Sequence, residues 1–204
     1  MTFGQQFARL VTVTVVRWPR LWGLFRSRLT RSFDRLAPEW DTTRASPTRL
    51  DAISAALDAV PSPPAAVLDL GTGSGAVARH LAARWTGAQV TGADVSEGMI
   101  AAARNAASTD RERYVAADAS SLPFADGAFE LVALNNMIPF FDELARVTAE
   151  GGHVAVAYSR GPETPIWVPL DRVQRELGQR EFTHFATFSV GEGVSLLARK
   201  RDRS

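Results

Sequence analysis

Apolar and polar positions along the chain change rhythm repeatedly, and each change marks an element. Short apolar runs stand at 66–70 (AVLDL), 89–93 (QVTGA), 112–117 (ERYVAA), 129–134 (FELVAL) and 153–158 (HVAVAY). Helical periodicity lies between or after them at 74–85, 96–107, 140–149 and 169–179. Alternating strand and helix predicts a parallel sheet with crossover helices on both faces. The strands are apolar nearly throughout, as a sheet covered on both sides requires. Gly87, Gly127, Gly151 and Gly152 punctuate the connections. Near its end the chain departs from this alternation. FTHFATFSV and VSLLARK, separated by GEG, read as a β-hairpin. The expected fold is therefore α/β, a Rossmann-like doubly wound sheet of seven strands ending in an antiparallel hairpin. A proline cluster, PSPP at 61–64, cannot continue a helix and divides the chain. It separates an N-terminal helical extension, 1–60, from the main domain, 61–204.

Composition narrows the chemistry. The 204 residues are 46% apolar, the makeup of an ordinary globular domain. The absence of cysteine removes disulfides, thiolate nucleophiles and cysteine metal sites. His80, His153 and His184 are scattered without metal-ligand spacing, so no metal is expected. The formal net charge is +1, but it is unevenly placed. No acid precedes Asp34, whereas Arg9, Arg17, Arg20, Arg26, Arg28 and Arg31 do, interleaved with aromatic and aliphatic residues. The longest nearly apolar run there, LVTVTVV at 10–16, is far below the about 20 residues a membrane span needs. It also makes a poor secretory signal, so the expected location is cytoplasmic, with contact at the inner membrane surface left open.

Residues 67–75, VLDLGTGSG, carry the main chemical signal. Strand, glycine loop and helix is the layout that brings a nucleotide close to the backbone. Alone it does not choose between a dinucleotide and S-adenosylmethionine, because Ala76 falls where a third small residue of the dinucleotide fingerprint would stand. Asp94, ending the second strand, suits a ribose, which both cofactors possess.

The segments that follow are more discriminating. With VTGADVSEGM, AADASSLPFADGAFELV and ELARVTAEGGHVAVAYS in order after the glycine loop, the sequence resembles the class I S-adenosylmethionine-dependent methyltransferases. It looks most like the small-molecule enzymes related to quinone-biosynthesis methyltransferases, over about residues 33 to 200. The resemblance implies S-adenosylmethionine as cofactor. Asp69, Gly71, Thr72, Gly73 and Gly75 would hold its methionine end. Asp94 would take the ribose hydroxyls, Val95 and Met99 would pack by the adenine, and Asp118 and Ala119 would bind its edge. Asn135 would line the pocket near the methyl donor. The acceptor implied is small and apolar or aromatic.

Three departures from that family bear on the substrate. The segment after the fourth strand, NNMIPFFDEL, is short and lacks the histidine of many relatives. It is not the tetrapeptide of enzymes that methylate bases or protein amides. No separate lid follows the fifth strand, where YSRGPETPIWVP instead offers Tyr158, Arg160, Glu163 and Trp167 as pocket candidates. FDRLAPEWD at 33–41 is similar to a helix that closes over the cofactor in relatives, which adds Phe33 and Trp40. No catalytic base can be assigned. Residues 5–30 leave three readings: a packing helix with snorkelling arginines, a helix on an anionic membrane, or an RNA contact, the last disfavoured. Two rivals remain for the whole: an NAD-dependent oxidoreductase, weakened by the absence of a Tyr-x-x-x-Lys pair, and a non-catalytic cofactor- or lipid-binding regulator.

Overall fold

The computed structural model describes residues 3–36 and 47–202. Helices α1 (Phe3–Arg17) and α2 (Trp22–Leu36) form a hairpin through the 3-10 turn Pro19–Leu21. Pro19 lacks the N–H that would continue α1, which is why the chain turns there. The two helices meet edge-to-face at Phe7 and Phe25, 6.4 Å between ring centres. After the 3-10 turn Pro47–Leu50 comes α3 (Asp51–Asp58), then β1 (Ala66–Leu70), α4 (Ala76–Arg84), β2 (Gln89–Asp94), α5 (Glu97–Asn105) and β3 (Glu112–Ala116). The second half contributes β4 (Phe129–Asn135), α6 (Phe141–Val147), β5 (Thr148–Tyr158), α7 (Leu170–Gly178) and the hairpin β6 (Phe182–Val190) and β7 (Gly193–Lys200).

The strands form one seven-stranded sheet in the order β3-β2-β1-β4-β5-β7-β6. Strands β1 to β5 run parallel, and β7 pairs antiparallel with both β5 and β6. The doubly wound fold and its terminal hairpin are thus as the sequence pattern predicts. Alternation along each strand sends side chains to two cores. Leu68, Leu70, Val132, Leu134, Val154 and Val156 join α1, α2, α6 and α7 on one face. Val67, Leu131, Ala133, Ala155 and Ala157 join α3, α4 and α5 on the other.

One boundary differs from the sequence pattern. Helix α6 ends at Val147 and β5 begins at Thr148, not at 153. The early strand residues form an irregular pairing with β4, the register shifting between Phe129 and Leu131. A side chain at Gly152 would place its Cβ 2.9 Å from the carbonyl oxygens of both Ala149 and Glu130, so only glycine lets the two strands approach so closely. The paired glycines therefore lie inside the strand and do not precede it.

Candidate functional site

The carboxyl ends of β1, β2 and β4 converge on the glycine loop, at the point where strand order reverses between β1 and β4. Gly71 takes φ +75°, and a Cβ there would meet the Met137 Sδ at 2.7 Å. The loop is held by its own donors. The N–H groups of Gly71 and Thr72 donate to the Ala93 carbonyl at 2.8 and 3.0 Å, and the Gly75 N–H donates to the Thr72 carbonyl at 2.9 Å. The Gly73 N–H donates to Asp94 Oδ2 at 3.0 Å.

Asp69 lies beneath the loop, 1% exposed. Its Oδ2 accepts the Thr72 hydroxyl at 2.6 Å, and the carboxyl also accepts the Ala78 N–H in the first turn of α4. Burial pushes this carboxyl up to about 7, against those two hydrogen bonds, and the nearby Asp94 adds to the rise. Asp69 therefore braces the loop and the helix start from inside.

Asp94 closes β2. Its Oδ1 accepts the Ser96 N–H at 3.0 Å while Oδ2 holds Gly73, so one carboxylate ties two loops together. Burial raises its affinity for a proton, and the backbone donors of Ser96, Gly73 and Val95 oppose this. Ser96 is fully buried and caps α5, accepting the Met99 N–H at 3.1 Å. Met99 is buried behind that cap, and Val95 is half-buried on the loop before it.

Past β3, Asp118 is held from a distant part of the chain. Its Oδ1 accepts the Trp22 indole N–H at 2.9 Å, and its Oδ2 accepts from Arg26 at 2.7 Å. Ser120 adds a backbone and a hydroxyl donor. Burial pushes this carboxyl up, but Arg26, Ser120 and Trp22 outweigh it and hold the group below the usual carboxylate range. Ala119 beside it is buried. Two turns further along α2, Asp34 accepts the Ser96 hydroxyl and, at 3.4 Å, the Gly98 N–H. Helix α2 thus lies across the ends of β2 and β3.

Asn135 ends β4, next to the Leu70–Leu134 pair, and so faces the start of the glycine loop. Its Nδ2 donates to the Arg49 carbonyl at 3.4 Å, while its Oδ1 is buried and accepts no hydrogen bond. Asn136 follows with φ 57°. Its amide group bonds Ser159 in both directions, donating to Oγ and accepting the backbone N–H, each at 2.9 Å. This staples the β4 loop to the end of β5.

The candidate pocket residues divide. Phe33 is half-buried against the core that includes Trp22 and Phe140. Tyr158 is wholly buried, its ring edge-on to Trp167 at 5.0 Å, and burial pushes its phenol well above the usual range. Arg160 and Glu163 point outward, Arg160 toward Glu192 at 3.7 Å. Trp40 lies outside the described residues. His184 is exposed on the outer strand β6, and His80 and His153 are half-buried groups whose ring pKa burial lowers. No group of metal-ligating side chains occurs among the described residues. Asp34, Tyr114 and Asn136 were not marked by sequence reasoning. Tyr114 packs under the loop, where a Cβ on Gly75 would meet its hydroxyl at 2.8 Å.

The site fits S-adenosylmethionine better than a dinucleotide. A pyrophosphate needs free N–H groups at the helix start. Here the donors of Gly71, Thr72, Gly73, Gly75 and Ala78 are engaged within the protein, and carboxylates dominate the surroundings. The unpaired Asn135 Oδ1 is an acceptor suited to an ammonium or hydroxyl.

Comparisons with known proteins agree. Residues 67–152 match the family model described as a methyltransferase domain. A malonyl-[acyl-carrier protein] O-methyltransferase of Geobacter sulfurreducens is 37% identical over 131 residues, which is 63% of this chain and 49% of that protein. A demethylmenaquinone methyltransferase of Thermus thermophilus is 36% identical over 140 residues, 61% of this chain and 62% of that protein. The chain thus spans about half to three-fifths of these relatives. Among solved structures, a chain from the complex of the Haloferax volcanii Trm112 methyltransferase activator with a methyltransferase superposes with TM-score 0.70 at 19% identity, over 83% of this chain and 97% of that one. Strand order, glycine loop and the methyltransferase-domain match over residues 67–152 agree, and in these the chain resembles the class I S-adenosylmethionine-dependent methyltransferases.

Proposed function

We propose that this chain transfers a methyl group from S-adenosylmethionine to a small apolar or aromatic acceptor. The carrying observation is the arrangement at the strand ends: Asp94 bridging the two loops, and Asn135 beside the glycine loop with an unpaired buried oxygen. When bound, the cofactor supplies an electrophilic methyl on a sulfonium sulfur. The chain's own residues bind, orient and exclude water. Asp94 and Asn135 offer acceptors to hydroxyl and ammonium groups, and Asp69 keeps the loop in the required turn. Helix α2 closes the rim through Trp22, Arg26 and Asp34. Orienting two bound reactants lowers the barrier by as much as about 7–11 kcal/mol in well-ordered model reactions.

Apolar groups packed against the core that α2 covers support this acceptor class. Phe33, Met137, Ile166 and Trp167 are partly buried against the same core, and Trp22 packs edge-on to Phe140 at 5.5 Å. Relatives named for a menaquinone precursor and for a malonyl group on acyl-carrier protein make a quinol and a malonyl thioester the two acceptor types to test. The carboxylates at the rim, Asp34, Asp94 and Asp118, are engaged by donors of the protein, so a weakly acidic acceptor such as a quinol would need a base that none of them is free to supply, whereas a carboxylate acceptor would not.

Calorimetric titration with S-adenosylmethionine, S-adenosylhomocysteine and NAD tests the reading. The first two bind wild type, and Asp94→Ala weakens them by about 10-fold or more, as the loss of charge-assisted hydrogen bonds requires. Binding of NAD alone overturns it. A methyl-labelled cofactor then distinguishes quinols from malonyl thioesters as acceptors.

A further inference from the structure

The helical hairpin uses only one of its sides on the domain. Val11, Thr12, Val15 and Val16 of α1, with Trp22 and Leu29 of α2, are buried. On the other side Leu10 is 62% exposed, Val13 54%, Trp18 53% and Leu24 75%, and the only other large hydrophobic so free among the described residues is Val190 at 40%. Helical spacing gathers these residues. Leu10, Val13 and Arg17 follow one stripe of α1, and Leu24, Arg28, Arg31 and Arg35 follow one stripe of α2. At the turn, Arg17, Trp18, Pro19, Arg20 and Leu21 line a shallow depression that joins the two helices.

The charge around this patch has one sign. Arg17, Arg20, Arg28, Arg31 and Arg35 are exposed and form no salt bridge among the described residues. Arg31 and Arg35 touch only backbone carbonyls of their own helix, and Arg17 and Arg28 lie over Trp18 and Phe7. The hairpin's single described acid, Asp34, is turned toward Ser96 and Gly98.

We propose that the outer face of this hairpin docks on an anionic lipid bilayer. Leu10, Val13, Trp18 and Leu24 enter the boundary between headgroups and acyl chains, and the arginines pair with lipid phosphates. One observation favours a bilayer over RNA, and a second sets how the hairpin lies on it. The exposed apolar residues are mainly aliphatic, which gain from hydrocarbon and offer nothing to stack on a base. Neither helix is long and apolar enough to cross a membrane, so the hairpin lies in the interface plane. The same hairpin carries Trp22, Arg26 and Asp34 at the rim of the site, so docking brings that rim beside the bilayer. This goes beyond the methyl-transfer reading and does not depend on it, because vesicle binding is measured without cofactor or turnover.

Flotation of the full chain with phosphatidylcholine vesicles, with and without phosphatidylglycerol, is the test. Wild type floats with the anionic vesicles, and salt weakens it. The variant Arg17→Gln/Arg20→Gln/Arg31→Gln partitions about 100-fold more weakly. Leu10→Ser/Val13→Ser/Leu24→Ser loses about 10-fold or more. Brominated phosphatidylcholine in the anionic vesicles quenches wild-type tryptophan emission, and Trp18→Phe loses that quenching, a readout independent of the multiple variants. Failure to float at low salt, equal flotation with neutral vesicles, or both variants floating like wild type overturns the proposal. Binding of poly(U) or acyl carrier protein that the arginine variant abolishes and anionic vesicles do not displace reassigns the patch to that partner.

Discussion

Asp69 is a residue whose protonation is strongly shaped by its surroundings. Its folded pKa, raised to about 7, lies above the unfolded value near 3.9. Between these values the folded state binds the proton more tightly than the unfolded chain. The resulting stability is full at acid pH and declines as pH rises toward 7, by on the order of 4 kcal/mol as an upper bound. Asp69→Asn cannot titrate, so its thermal midpoint relative to wild type should rise between pH 5 and pH 8. A parallel pH profile for the two proteins would show that the carboxyl stays ionised in the fold. This behaviour could not be read from VLDLGTGSG, because the motif marks the acid but not which way its oxygens face. The same limit explains Asp34, Tyr114 and Asn136. Each acts on a partner brought near by the fold: Asp34 on Ser96, Tyr114 under Gly75, and Asn136 on Ser159. The glycine turn and the place of Asp94 at the end of β2 were legible because the strand–loop–helix unit that holds them is local in sequence.

At the scale of elements, the loop depends on a close fit between β2 and β3. A methyl group at Gly92 would stand 2.6 Å from the Tyr114 ring and 2.8 Å from the Thr72 hydroxyl. Thr72 is the donor to Asp69, so Gly92→Ala presses on the brace of the glycine loop through its neighbour. Overpacking of this kind costs about 1–3 kcal/mol. Gly92→Ala should therefore lower the denaturation midpoint and weaken S-adenosylmethionine binding together. A normal affinity in a destabilised protein would separate the loop from the strand beneath it. The strands themselves were readable, since apolar runs bounded by glycine and proline mark both-face burial in β1, β2 and β4. The start of β5 was not. Its first residues pair irregularly with β4 through two glycines, and glycine in sequence reads as an end, not as a site of close strand approach.

Across the whole molecule, the N-terminal hairpin meets the candidate cofactor site at two carboxylates, its own Asp34 and, past β3, Asp118. Asp118 is the residue expected to meet the adenine edge, yet both of its oxygens are engaged, by Trp22 and Ser120 on one side and Arg26 on the other. Arg26 is about half exposed, so its bond to Asp118 is screened and contributes only about 0.2–1 kcal/mol. Removing it should therefore leave the fold intact while freeing Oδ2. If α2 and the adenine draw on the same carboxylate, Arg26→Gln binds S-adenosylmethionine more tightly, by up to about 5-fold. The depressed pKa of Asp118 gives a second reading of the same contact. Its stabilisation is present above the unfolded carboxylate pKa and is lost as pH falls through the lower folded value. Wild type should hold this advantage over Arg26→Gln at neutral pH and lose it in acid. Weaker cofactor binding in Arg26→Gln, measured by calorimetry at neutral pH, would mean that the helix supports the adenine side, and unchanged binding would mean that the two do not share this carboxylate. Either sign assigns a role to an arginine far along the chain from its partner, which in the sequence stands only as one basic residue among several.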